Sequence, residues 1–199
     1  MQVLNELIER TLLLTKRGLL TSPFDPEWRS DCEVHQSANE TFWRPVKQSP
    51  KVDFSGLANA VQASIHPDIV DYYSSFWSGT LEADSQEGRV SLIQLWNQDD
   101  FERLIANLIG HAVNKIRTKH PFTAFFATTD PDSELFLSID NISGVVLLEE
   151  PGEAPVSGPS PLTGKFGKRV ELTLGGQHQA LETASAIARF AITPQRWLR

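Results

Sequence analysis

A single cysteine, Cys32, among 199 residues leaves no intrachain disulfide to form. A reducing, cytosolic setting fits that count, although exported proteins can lack disulfides too. Nowhere do eighteen apolar residues run together, so no transmembrane helix is expected. The first twenty residues hold Glu6, Glu9 and Arg10 among their leucines. Their longest apolar run, Leu12-Leu13-Leu14, is too short for the core of a signal peptide. Any membrane association is expected to be peripheral, through a partner or a surface patch.

Spacings that carry chemistry are missing as well. The five histidines (His35, His66, His111, His120 and His178) show neither HExxH nor HxxxH. Cys32 and His35 stand in a CxxH spacing with no second pair nearby, which argues against zinc. No GxSxG elbow occurs. The GPSPLTGK run ending at Lys165 has one residue too many between Gly158 and Gly164 for a phosphate loop. Phe166 also stands where Ser or Thr would hold a metal ion. Cys32 could act as a nucleophile only with a base that the sequence does not identify. Asp99 and Asp100 sit at an expected helix start, where the helix dipole keeps carboxylates ionised. That suits capping better than acid–base work. The expectation is a binding protein with no cofactor and no metal, not an enzyme.

What is present is acid, and it is segregated. The net charge of -7 disfavours wholesale binding to nucleic-acid phosphates. From Asp68 to Glu102 there are eight acids and one base, Arg89. From Asp130 to Glu153 there are seven acids and no base. Between these clusters Arg103, Lys115, Arg117 and Lys119 give +4, and the chain after Ala154 again carries +4. Segregated charge steers a partner of opposite sign and sets on-rate and salt dependence. Acids in loops and hairpin ends also serve solubility, and composition does not separate the two roles.

The length suits one domain over residues 1–199, large enough to bury a core without disulfide or metal support. Residues 3–20 read as a helix, and 21–53 as loop with one short strand at Glu40–Arg44. Two helices are expected at Phe54–Ile65 and Pro67–Phe76, and a hairpin at Ser78–Asp84 and Arg89–Leu95. Apolar residues on both faces of the second hairpin strand suggest a central strand. The clearest element is a helix from Gln98 to Lys119. Phe101, Leu104, Ile105, Leu108, Ile109, Ala112, Val113 and Ile116 form its apolar stripe, Asn97 its N-cap, and Pro121 its end. Gly110 inside it costs ~1 kcal/mol against alanine, which suggests close backbone packing. Three antiparallel strands follow at 122–128, 134–140 and 144–149. Residues 151–167, with four prolines and four glycines, read as a flexible loop. Arg169–Leu174 could be a strand and Gln179–Ala191 a final helix.

Two positions stay open on the residues alone. Asn107 and His111 lie one turn apart and could form a polar site with Gln94, or simply flank the helix. Trp96 could plug the core or anchor an interface.

The stretch Leu92–Thr123 resembles the core segment of the SecY-interacting Syd family. The likeness rests on Gln94, Trp96, Asp100-Phe101, Arg103 and Asn107-Leu108-Ile109-Gly110-His111. It continues through Pro121, Thr123, Phe125 or Phe126, Ala127 and the Asn141–Gly144 turn, spanning roughly Ile65–Gly144. Residues 151–167 and the tail depart from the family pattern. The resemblance implies a single-domain α/β (α+β) fold of the SUKH superfamily, a mostly antiparallel mixed sheet packed against helices. It implies a monomeric, partly cytosolic protein held peripherally at the cytoplasmic side of the bacterial inner membrane. There it would bind basic cytoplasmic loops of SecY, in the SecYEG translocon, through an acidic surface, and check or regulate channel complexes. The acids expected at that surface, chosen for charge and turn position, are Asp84, Glu87, Asp130, Asp132, Glu149 and Glu150. The alternative is a SUKH-type immunity protein that neutralises a basic toxin domain.

Overall fold

The computed structural model describes residues 2–85, 88–129 and 134–150. The elements in chain order are α1 (Gln2–Leu14), β1 (Leu20–Pro23), β2 (Glu33–Gln36), β3 (Glu40–Trp43), β4 (Val46–Lys47), α2 (Ser55–Val61), α3 (Pro67–Tyr73), β5 (Phe76–Trp77), β6 (Leu81–Ser85), β7 (Gly88–Leu92), α4 (Gln98–Arg117), β8 (Thr123–Thr129), β9 (Phe136–Asp140) and β10 (Val146–Glu149). The main sheet has five strands in the order β10-β9-β8-β7-β6, every neighbouring pair antiparallel. This is the mixed α/β architecture of antiparallel sheets against helices that the sequence implied.

Helix α4 organises the core. Asn97 caps it by accepting a hydrogen bond from the Asp100 N–H at 2.9 Å. Asp100 answers by accepting from the Trp96 N–H at 3.0 Å. This reciprocal pairing is a capping box shifted by one residue, and it satisfies donors that a helix start leaves unpaired. Phe101, Leu104, Leu108 and Ala112 are buried along one face, and Lys115 continues that face. Val113 and Ile116, expected in the stripe, are instead 60% and 66% exposed. The spacing 101, 104, 108, 112, 115 keeps one face inward, so the position facing the interior at the last turn belongs to a lysine. Gly110 is also exposed, and a Cβ there would meet nothing within 4 Å, so close packing does not explain it.

Helices α2 and α3 pack where α4 and the sheet meet. Phe54, just ahead of α2, lies edge-on to Phe101 at 5.2 Å. Tyr72 and Tyr73 of α3 are buried, and their hydroxyls donate to the carbonyls of Phe126 and Phe125 at 3.2 and 2.6 Å. The register of β8 against β9 slips between Phe125 and Ala127, so the tyrosines bind where the ladder is irregular. The Asn141–Gly144 turn is pinned from outside the sheet. Asn141 accepts from the His66 N–H and donates to the Ser64 carbonyl, both at 2.9 Å. Gly144 has φ +70°, and a Cβ there would fall 2.5 Å from the His66 ring. Backbone angle and contact both require glycine.

Two N-terminal expectations are corrected. The first helix stops at Leu14, and Arg17 and Gly18, with φ of 65° and 66°, turn the chain into β1. Residues 21–53 hold four short strands, where one was expected. Three of them form a sheet in the order β1-β3-β2, and β4 pairs with β5. These strands have two to four residues, and most of their positions are exposed or half-buried. Their hydrophobic alternation is therefore too short to register. The 151–167 loop, the 169–174 strand and the 179–191 helix expected from sequence lie outside the described residues.

Leu108 is fully buried. Leu108→Asp, which forces an uncompensated charge into the core, is expected to abolish cooperative unfolding in a urea titration. A parent-like transition would mean the helix face is misassigned.

Candidate partner-binding site

The Trp96 region is structural. Its indole N–H donates to the Trp28 carbonyl at 2.9 Å, and its ring meets Trp43 edge-on at 5.7 Å. Ser30 donates to the Trp96 carbonyl, and Asn97 to the Arg29 carbonyl. The Arg103 guanidinium pairs with Asp100 and lies 4.1 Å from the centre of the Trp28 ring. Trp96, Asp100 and Arg103 together clamp the 28–30 segment onto the start of α4. Half-buried, Trp96 is neither a core plug nor a free anchor. Cys32 lies nearby with its thiol buried. Burial, resisted by the Ser30 hydrogen bond, pushes its pKa up to about 12, which removes it as a nucleophile at neutral pH.

The second polar feature lies between α4 and the sheet, and sequence reasoning missed it. Lys115 and Glu149 are buried and form an ion pair. Ser138, also buried, donates to the second carboxylate oxygen of Glu149. His111 lies among Phe122, Phe125 and Phe136, with its Nε2 2.9 Å from the Thr123 hydroxyl. Burial pushes the Glu149 pKa up, but its bonds from Lys115, Ser138 and Thr123 outweigh that, and the net shift is downward. Burial first, then the Lys115 charge, hold His111 below its ordinary value against the pull of Glu149. The expected grouping of Asn107, His111 and Gln94 does not form. Asn107 is exposed, His111 bonds Thr123, and Gln94 is buried with its Nε2 making no hydrogen bond.

Glu149 is thus a correction. It was expected among the surface acids, and its side chain is 2% exposed and paired internally. Glu150 follows it, half-buried. Asp84 lies on β6 opposite Arg89. Glu87, Asp130 and Asp132 lie outside the described residues. The strand ends that flank all of these acids share one end of the main sheet. Ser85 pairs with Gly88, Val90 with Thr129, Thr128 with Phe136, and Phe136 with Glu149. The exposed Glu134 also precedes β9 at this end. The Asn141–Gly144 turn occupies the other end, joining β9 to β10. Part of each acidic stretch, around Asp84 and around Glu150, therefore feeds one sheet end, where Arg89 also stands opposite Asp84, whereas Asp140 is at the other end. Among the described residues, no group of three His, Cys, Asp or Glu side chains could hold a metal ion.

A family model described as Syd protein (SUKH-2) matches residues 2–161. The chain belongs to the Syd family. It is 36% identical over 154 residues to Protein Syd of Pseudoalteromonas atlantica, covering 75% of this chain and 82% of that one. It is 38% identical over 123 residues to Protein Syd of Yersinia pestis, covering 62% and 67%. To Protein Syd of Colwellia psychrerythraea it is 36% identical over 148 residues, 69% of this chain and 73% of that one. The Syd match extends well beyond Ile65–Gly144 and leaves residues after 161 outside. Membership makes the chain a non-enzymatic binding protein and supports a SecY-interacting or SUKH-immunity role in general terms. No helix among the described residues is long and apolar enough to cross a membrane.

The buried pair gives two predictions. Lys115→Met strands the Glu149 charge and is expected to cost about 3–5 kcal/mol, with Lys115→Met/Glu149→Leu recovering most of that loss. Denaturant titrations of both variants check this, and a double variant as weak as the single one would refute it. A lowered folded pKa means that Glu149 contributes stability above its unfolded value of 4.5, lost as pH falls through the folded value. The stability of Glu149→Gln should therefore fall less steeply than the parent's below pH 4.5, measured as the urea midpoint against pH.

Proposed function

We propose that this chain binds SecY at the cytoplasmic face of the bacterial export channel, through the acidic sheet end that Asp84, Glu87, Asp130, Asp132 and Glu150 flank. Docked this way, it would be peripheral to the inner membrane and would check or regulate SecYEG complexes. Membership of the Syd family is what carries the reading. The meeting of the strand ends around Asp84 and Glu150 at one end of the sheet supports its finer part.

The physical case is one of reach and charge. Five adjacent strands span about 19 Å from β6 to β10, at ~4.8 Å per interstrand step. An extended basic loop of about six residues covers that span at ~3.3 Å per residue. Lys115 does not offset these acids, because Glu149 neutralises it inside the fold. Such a surface speeds encounter and selects basic partners, more than it adds raw affinity.

Binding to SecYEG in nanodiscs, with empty nanodiscs as control, tests the proposal. Affinity should fall steeply between about 0.1 and 1 M salt, as the screening length shortens from ~10 to ~3 Å. Single neutralisations at Asp84 or Glu150 should weaken binding by only about 1.4–5-fold, the range for exposed charge pairs worth ~0.2–1 kcal/mol. Channel binding that ignores salt would remove the acidic surface from the account. No channel binding at either salt would overturn the SecY assignment and direct attention to basic toxin domains.

A further inference from the structure

Cross-strand register gives the two faces of the main sheet opposite characters. On one face Leu81, Leu92, Ala127, Leu137 and Leu148 stand opposite one another across all five strands. The first four are buried, and Leu148 is half-buried against the core. Shifted by one residue, the row on the other face reads Glu82, Ser91, Thr128, Phe136 and Glu149. Here burial changes along the row. Glu82 and Thr128 are exposed, Ser91 and Phe136 half-buried, and Glu149 buried.

Helix α4 causes the change. Its Lys115 pairs with Glu149, and its His111 lies edge-on to Phe125 at 5.9 Å and to Phe136 at 6.0 Å. The helix therefore covers this face over β9 and β10. Its edge borders the part over β6, β7 and β8 that stays open among the described residues. Along that border Phe136 meets Phe125 edge-on at 6.5 Å, both rings half-buried. Aromatic side chains left partly in water beside an open face are natural anchor points for an interface.

The charge around these rings is mainly negative. Glu82 is exposed at the far end of the row, where it accepts from Ser91 at 2.7 Å. Glu134 is exposed two residues before Phe136. Lys115 is neutralised by Glu149, and Arg89 stands opposite Asp84. A complementary partner therefore carries basic side chains and an apolar one. Three interstrand steps from β6 to β9 span ~14 Å, which an extended segment of about four residues covers at ~3.3 Å each.

We infer that this open face is a docking groove for an extended basic segment, which seats one apolar side chain on Phe136 and Phe125 against the edge of α4. The inference deepens the SecY reading and rests on it for the partner's name alone. To docking by charge it adds recognition of an apolar residue, which salt does not screen.

Fluorescence anisotropy with a short peptide of alternating lysine and leucine, against its lysine–serine counterpart, tests this, with SecYEG nanodiscs run in parallel. The parent should bind the leucine peptide about tenfold more tightly, as part-burial of one leucine side chain gives. Phe136→Ser should erase that preference and leave the affinity for the serine peptide unchanged, whereas Phe136→Leu should keep the preference. Thr128→Arg, at an exposed position of the same row, should weaken both peptides and SecYEG about tenfold without moving the urea midpoint. Equal binding of the two peptides by the parent, or none, would overturn the inference, as would a preference that survives Phe136→Ser. SecYEG binding indifferent to Thr128→Arg would also overturn it and leave the SecY reading standing. A leucine preference lost in Phe136→Ser, with no binding to SecYEG at all, would sustain the groove and reject the SecY reading.

Discussion

Helix α4 must keep one face dry along twenty residues, and the rest of the described chain is arranged around that requirement. Phe101 meets Phe54, and Leu108 reaches the fully buried interior. At the last turn the inward position holds Lys115, which can stay charged there only beside a carboxylate. Glu149 supplies it, and Ser138 occupies the remaining oxygen. Such a pair adds little net stability over an apolar substitute, yet breaking it is costly. What it fixes is the position of the last described strand against the helix.

The family's motif residues mostly build this scaffold. Trp96, Asp100 and Arg103 hold the 28–30 segment at the start of α4. Asn141 and Gly144 hold the 64–66 segment at the far end of the sheet. His111 and Thr123 join helix to sheet between them. With these positions committed to packing, the opposite sheet end is free to vary in charge. On the proposed reading, scaffold and docking surface occupy separate ends of one sheet.

How much of this the sequence disclosed followed element length and depth of burial. Helix α4 has three turns of strict periodicity and an explicit cap, and its limits were legible to within two residues. In the main sheet β7 was legible because buried Val90 and Leu92 alternate with half-buried Ser91 and Ile93, and β8, β9 and β10 because turn residues at 130–132 and at Asn141–Gly144 separate them, although β9 itself buries Ser138 between Leu137 and Ile139. The small N-terminal sheet was not, since its strands are short and shallow. The phase of α4 at its end was misjudged because Val113 and Ile116 are apolar and Lys115 is not. A lysine in register with Ala112 was the available sign that an acid downstream must be internal. The meeting of the strand ends around Asp84 and Glu150 could not be read locally, since it depends on strand order across the sheet.

Site-specific crosslinking tests the central claim, docking by the acidic sheet end, most directly. Buried Cys32, its pKa pushed up to about 12, leaves an introduced thiol as the reactive one. A photoactivatable probe at Glu134→Cys, at the acidic end, should crosslink to SecY in SecYEG nanodiscs. The same probe at Ile142→Cys, exposed in the turn at the opposite end, should not. Crosslinks from Ile142→Cys with none from Glu134→Cys would contradict the account and assign docking to the other end of the sheet.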